Sequence, residues 1–346
     1  MHNDLKKIIG SFDMISDTQY KMNGELRDVE KIRIIDPASS ISLSTFDGFE
    51  HESLNKMAMI LTTDIYNHFY NATSVDTELL NPLYENDFLN YISEYNSGTG
   101  GWTEGWQLIE QESDADEKIV RNHQVNFRVK AHDVRKAVDG SHWYVRGAKE
   151  CRYLNSHFYM AFSNLCKEDI PLQNHIESST DVNHRLLRFY WNLTAKGSLK
   201  YMRAITRKLN AAGIYFKTKV ISSPKLYNRS DAGVLYIYHS QLQNALPLIM
   251  DVYSEIAQDL KPQVPMFTKK LGSGLSFAED PDNGDSFGIS RAKLIAGALI
   301  SAGSSDLTYS VKTHFNQADL CIDQPYARQS NIAIYESAFS HFTDKE

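Results

Sequence analysis

Apolar positions recur at helical spacing in "HESLNKMAMILTTDIYNHFYN", where Leu54, Met57, Ile60, Leu61 and Ile65 line one face, and "TELLNPLYENDFLNYISEYN" reads as a second helix. The turn-rich "NSGTGG" closes this region. From Trp102 the period changes to short alternating runs, "WQLIEQ", "KIVRNHQVNFRVKA", "HWYVRGAK" and "HFYMAFSN", the pattern of antiparallel strands. A polar stretch, residues 165–184, separates these from a second block and is the softest internal boundary. That block opens with a strand, "RLLRFYWNL", and continues with a helix over 195–212, striped by Leu199, Met202, Ile205 and Leu209. Thr194 is its expected N-cap and Gly213 its stop. Strands "IYFKTKV" and "AGVLYIY" follow, then a helix running to about Leu260 with Pro247 in its first turn or at a kink. "GSGLSFAEDPDNGDSFG" reads as a loop into a helix near Ile289, and the last forty residues read as helical. Residues 1–45 are mixed, with "IRII" a possible isolated strand. The expected class is α+β, antiparallel sheets flanked by helices. The expected organisation is a mostly helical region over 1–100 and an α+β domain over 101–346.

Charge sharpens this division. The chain carries 36 basic and 43 acidic residues, yet Glu50 to Glu117 holds 14 acids and a single base, Lys56. Arg185 to Ser230 inverts that balance, with 11 Lys or Arg and no acid. Either run is readable as a solvated face, but the basic one carries strong apolar periodicity and places several charges inside strands, where cations need anionic company. The acidic run is a candidate docking surface for a basic partner. Cys151, Cys166 and Cys321 are far apart, which points away from a disulfide framework or thiolate zinc site. The N-terminus lacks a secretory apolar core and the longest apolar run, Leu294 to Gly303, is too short for a bilayer. The expectation is a cytoplasmic protein without membrane contact, though type III export would leave no such signature.

Strand alternation sorts the basic block into faces. Arg188, Tyr190 and Asn192 share one face of their strand, opposite Phe189, Trp191 and Leu193. Lys217 and Lys219 point together, as do Val234, Tyr236 and Tyr238, with Arg229 and Asp231 at the entrance of the last strand. Taken singly, a strand Lys or Arg is ordinarily a surface residue with its head in water, and Tyr190 is readable as a core aromatic. Taken together, Arg188, Lys217, Lys219 and Arg229 form a set suited to phosphate. Repulsion between the two lysine ammoniums is eased if one amine loses its proton and becomes available as a base. There is no GxxxxGK[ST] motif, no HRD loop and no HExxH cluster among the histidines, so a P-loop, a kinase and a catalytic metal are not expected, and no cofactor is implied. Phe189, Trp191 and Tyr201 interleave with basic residues, but an isoelectric point near 6.0 and their amphipathic spacing argue against nucleic acid.

The ordered series "RFYWNL", "YFKTKV", "YNRSDAGVLYIY", "PMFTKKLGSGLSFAEDP" and "DSFGISR" resembles the HopA-like family, from about Arg121 to Ala298. That family includes a type III secreted effector of plant pathogens and the lyase components of class V lanthipeptide and thioamitide biosynthesis. More distantly, Arg188 to Tyr238 is similar to the secreted phosphothreonine lyases. The resemblance implies a phosphothreonine-lyase-like C-terminal part in which Lys217 is the base, Lys219 and Asp231 assist, and Arg188, Arg229, Arg291 and Tyr236 hold phosphate. Tyr190 stands where those lyases carry a histidine acid, and Asp280 and Arg291 match the downstream family motif. The implied activity is elimination of phosphate from phosphoserine or phosphothreonine of a precursor peptide, leaving dehydroalanine or dehydrobutyrine, with a separate Ser/Thr kinase as partner. A non-catalytic effector secreted into a host, or a phosphoanion-binding module, are the alternative readings.

Overall fold

Leu187, Phe189 and Trp191 are buried and alternate with Arg188 and Tyr190, and this strand lies in the interior of the main sheet. In the computed structural model the described residues are 3–32, 49–70, 82–109, 116–122, 125–147, 149–152, 158–170, 182–303 and 305–340. Helix α1 (Asn3–Ser11) leads into a three-stranded meander, β1 (Phe12–Ser16), β2 (Gln19–Met22) and β3 (Glu25–Asp28). Two helices follow, α2 (Glu52–Ile65) and α3 (Pro82–Tyr95). A five-stranded sheet is built from β4 (Trp102–Leu108), β5 (Glu117–Asn122), β6 (Val125–Lys130), β7 (Val134–Lys136) and β8 (Trp143–Arg146), in the order β6-β5-β4-β8-β7.

The seven-stranded main sheet comprises β9 (Glu150–Arg152), β10 (Phe158–Phe162), β11 (Leu186–Trp191), β12 (Lys217–Ile221), β13 (Gly233–Tyr238), β14 (Lys269–Gly272) and β15 (Leu275–Glu279). Its order is β14-β15-β11-β13-β12-β10-β9, and every pairing is antiparallel. Helices α4 (Ala195–Ala211) and α5 (Leu242–Ile256) cover one face, where Trp191 packs on Tyr201 and Tyr253 at ring distances of 5.1 and 6.5 Å. Helix α6 (Phe287–Ser301) covers the other together with α2. Helix α7 (Leu307–Gln317), a hairpin of β16 (Leu320–Cys321) and β17 (Gln324–Arg328), and α8 (Ile332–Phe339) complete the chain. No described helix is long and apolar enough to cross a membrane.

Local chemistry sets several of these boundaries. The Thr194 side chain accepts from the Gly197 amide at 3.0 Å, capping α4, and Gly213 ends the segment with a φ of +65° that favours glycine. Pro247 lies inside α5.

The structure departs from the expected elements in three places. "GSGLSFAEDP" is a hairpin, β14 to β15, where a loop is expected; all five residues of β15 are buried, so no alternation betrays the strand. The last forty residues hold the β16–β17 hairpin between two helices. Beside its helices the N-terminal region carries a meander within the stretch the sequence leaves mixed, tied to α2 with Tyr20 Oη donating to Asp64 at 2.8 Å and Arg27 Nε at 3.0 Å. Finally, the main sheet spans the 165–184 segment, because β10 before it pairs with β12 after it. Of "IRII", all but Ile32 lies outside the described residues.

Candidate active site

Antiparallel register turns the face assignments into a two-row array. Arg188 is opposite Tyr236, and Tyr236 is opposite Lys217. In the next row Ser276 is opposite Tyr190, Tyr190 opposite Val234, and Val234 opposite Lys219. Directly opposed residues share a face, so Arg188, Tyr190, Lys217, Lys219 and Tyr236 project together. The Lys219 ammonium sits 4.3 Å from the Phe158 ring and 6.0 Å from that of Tyr236, and among the described residues it makes no hydrogen bond or ion pair. Arg188 stacks over Tyr236 at 5.4 Å and Arg229 over Phe158 at 5.6 Å, so two rings link three cations.

Arg229 lies in the loop before β13. Its guanidinium grips Asp231 through two nitrogens, Nη2 at 2.8 Å and Nε, and Nη2 also donates to Tyr66 Oη at 3.1 Å. Tyr66 belongs to a single π-helical turn, Tyr66–Tyr70, that extends α2, and it stacks on Tyr70 at 5.2 Å. Tyr70 in turn packs on Phe287 of α6, which also touches Tyr190 at 6.2 Å between ring centres. The π turn is held tightly here, because a Cβ on Gly288 would stand 2.5 Å from the Tyr70 ring. Tyr190 is buried, and its hydroxyl lies beside Tyr70 and Arg188 without a hydrogen bond of normal geometry among the described residues. Burial pushes its phenol, and that of Tyr70, above the usual range, so both stay protonated.

The acid-free stretch of sequence is not acid-free in space. Arg188 donates through Nε to Asp280 at 2.6 Å and through Nη2 to the Asp285 carbonyl at 3.3 Å. Burial works against its charge, but Tyr190, Tyr236 and Asp280 outweigh it and raise its pKa; Arg229 follows the same logic with Asp231. The Lys217 ammonium lies 3.6 Å from Glu104 of β4. These three carboxylates come from Asp231, just past the basic block, from the end of β15, and from the acidic segment, so linear charge counting does not reveal them.

Arg291 is not in the array. It lies across Phe287, 4.6 Å from that ring, with Nε donating to the Pro325 carbonyl at 2.8 Å, and burial lowers its pKa to about 10. It lines a cavity of about 650 Å³ between α6, α7 and the loop after β15, which shares Asp280 with the array but does not include Lys217, Lys219 or Arg229. Residues the sequence reading passed over are Glu104, Tyr66, Tyr70 and Phe158. Alternation in "FYMAF" carries the signal for Phe158; the i, i+4 spacing of Tyr66 and Tyr70 is that of an ordinary α-helix and does not announce the π turn, and Glu104 has no signal.

Residues 152–327 match the model of a family described as the HopA1 effector protein family. Among solved structures, the effector protein from Pseudomonas syringae pv. tomato strain DC3000 is similar at 16% identity, covering 85% of this chain and 99% of that one, with a TM-score of 0.45. The effector protein from Pseudomonas syringae pv. syringae strain 61 is similar at 13% identity, covering 77% and 89%, with a TM-score of 0.46. No curated protein matches the chain.

Proposed function

Since the chain belongs to the HopA1 effector protein family, we propose that the polar face of its main sheet is the active site of a lyase eliminating phosphate from phosphoserine or phosphothreonine. The observation that carries this reading is the register that sets Arg188, Tyr236 and Lys217 in one row and Tyr190 and Lys219 in the next, with Arg229 at the edge. Lys217, as the neutral amine left after its ammonium gives a proton to solvent, takes the Cα proton, the electron pair of that bond becomes the new double bond, and the Cβ–O pair departs with phosphate. Lys219, Arg229 and Arg188 hold the phosphate and gain strength as the leaving group gathers charge. Asp231 and Asp280 fix the two guanidiniums, Tyr236 supplies the ring that Arg188 and Lys219 share, and Phe158 the ring that Lys219 and Arg229 share. Tyr190, kept protonated and with its hydroxyl unengaged, donates to the departing oxygen. Arg291 contributes positive charge from behind Phe287.

The substrate is a phosphorylated precursor peptide made by a separate Ser/Thr kinase, and the product carries dehydroalanine or dehydrobutyrine. No step calls on a metal or cofactor. The direct test is to incubate the protein with a synthetic phosphothreonyl peptide and weigh the product. Loss of phosphoric acid with no gain of water supports elimination; an unchanged mass, or hydrolysis to the free threonine, overturns it.

A second reading rests on the carboxylates of Asp280, Asp231 and Glu104. They already offset three of the four cations, so the face is stable with no bound anion, as a non-catalytic effector delivered into a host would require. That reading expects no dehydrated product from any phosphopeptide.

A further inference from the structure

Strand β4 carries an irregularity in its pairing with β8. Thr103 pairs with Val145 and Trp106 with Trp143, so Glu104 and Gly105 together face the single residue Tyr144. Gly105 takes a φ of +85°, a conformation that favours glycine, and Trp106 Nε1 closes the bulge by donating to Thr103 Oγ1 at 2.8 Å. Such bulges re-aim a side chain. Here the side chain is Glu104, whose carboxylate reaches out of its own sheet to within 3.6 Å of Lys217 Nζ on the main sheet. The two side chains are 46% and 36% exposed, so neither is forced into contact by burial. Among the described residues Glu104 is the one ion-pair partner Lys217 has.

We propose that Glu104 is a positioning residue for Lys217, an inference that rests on the lyase reading of the main-sheet array. A lysine stem with this exposure otherwise lets its head swing toward water. A carboxylate fixed by a bulge in a second sheet holds the nitrogen above the row shared with Tyr236 and Arg188, where a Cα proton would be presented. The gain is one of alignment, so it acts on turnover and leaves phosphate capture, which belongs to Lys219, Arg229 and Arg188, untouched.

The test uses the full chain and a phosphothreonyl peptide. In Glu104→Gln, kcat for elimination falls about tenfold, a share of what general-base catalysis contributes, while KM and the peptide Kd stay as in the wild type. Glu104→Asp, with the charge kept, recovers part of the loss. Carbodiimide treatment of the wild type joins the peptides containing residues 104 and 217 through an amide, read by mass spectrometry. An active wild type whose kcat is unchanged by Glu104→Gln overturns the positioning role alone, as does the absence of that cross-link. A wild type with no elimination activity overturns the lyase reading and this role together.

Discussion

At the scale of single residues, the array separates what stabilises the fold from what serves the site. Tyr190 is buried with a hydroxyl that lies beside Tyr70 and Arg188 but makes no hydrogen bond of normal geometry, a cost of at most about 1–3 kcal/mol for such a group. Tyr190→Phe keeps the ring contact with Phe287 and removes that cost. The expected outcome is a higher thermal midpoint, by about 1 kcal/mol of stability, together with weaker elimination of phosphate. A lower midpoint in the calorimeter contradicts this account. Lys217 gives the complementary case. It is partly exposed and supports no core packing, so Lys217→Ala leaves the melting curve in place and lowers elimination about 10²- to 10⁴-fold, while phosphopeptide binding, measured by titration calorimetry, persists. The positions of these residues were legible in the sequence, because strand alternation fixes which side chains share a face. Their partners were not: Asp280 and Glu104 reach Arg188 and Lys217 only through sheet order and a bulge, neither of which leaves a periodic trace.

At the scale of elements, the site depends on how closely α6 and the π turn of α2 approach. Gly288 has no Cβ where one would press on the buried Tyr70 ring. Gly288→Ala therefore displaces the turn, costs about 1–3 kcal/mol as an overpacked contact, and breaks the hydrogen bond from Arg229 to Tyr66; chemical denaturation and phosphopeptide affinity check the two effects. A separate element, α8, is fastened by charge. Glu336 accepts two bonds of 2.8 Å from Lys269 of β14 and another from Tyr326 of β17. Desolvation of this carboxylate raises its pKa, but Lys269 and Tyr326 outweigh that and the net shift is downward. A carboxylate lowered in the fold contributes fully above its unfolded value of about 4.3 and loses the contribution as pH falls through the folded value. Protection factors of α8 amides, with the intrinsic pH dependence of exchange divided out, should fall as the solution is acidified below that point, and Glu336→Gln should flatten the response. Burial raises Glu279, which accepts from Asn331 at 3.0 Å, and gives it the opposite sign, so the difference between variant and wild type is the quantity to read. Helix α4 and its cap were readable from period and capping chemistry. Strand β15 was not, since a strand covered on both faces shows no alternation.

At the scale of the whole molecule, the N-terminal region and the sheet share one core. Tyr20, Leu61, Ile65, Tyr70 and Phe88 belong to the same buried cluster as Phe189, Trp191 and Phe277. A fragment beginning at residue 101 would expose the Tyr190 face and lose Tyr66 from Arg229. It should fail to give a cooperative melting transition, whereas independent folding would show that the sheet stands without its N-terminal cover. Sequence reasoning found the α+β class and the change of period near Trp102, because both are local signals. It could not see that the acidic and basic segments meet, because contact between distant segments is decided by tertiary packing.

The order of strands in the main sheet has one more consequence, for timing. Leu186–Trp191 is an interior strand with Gly233–Tyr238 on one side and Leu275–Glu279 on the other, both of which follow it in the chain. Pairings between segments so far apart are slow to form. On the ribosome, Arg188 is made well before the carboxylate of Asp280 that neutralises it. The nascent chain therefore passes through an interval in which its most basic stretch lacks that acidic counterpart, when polyanions nearby can compete for it.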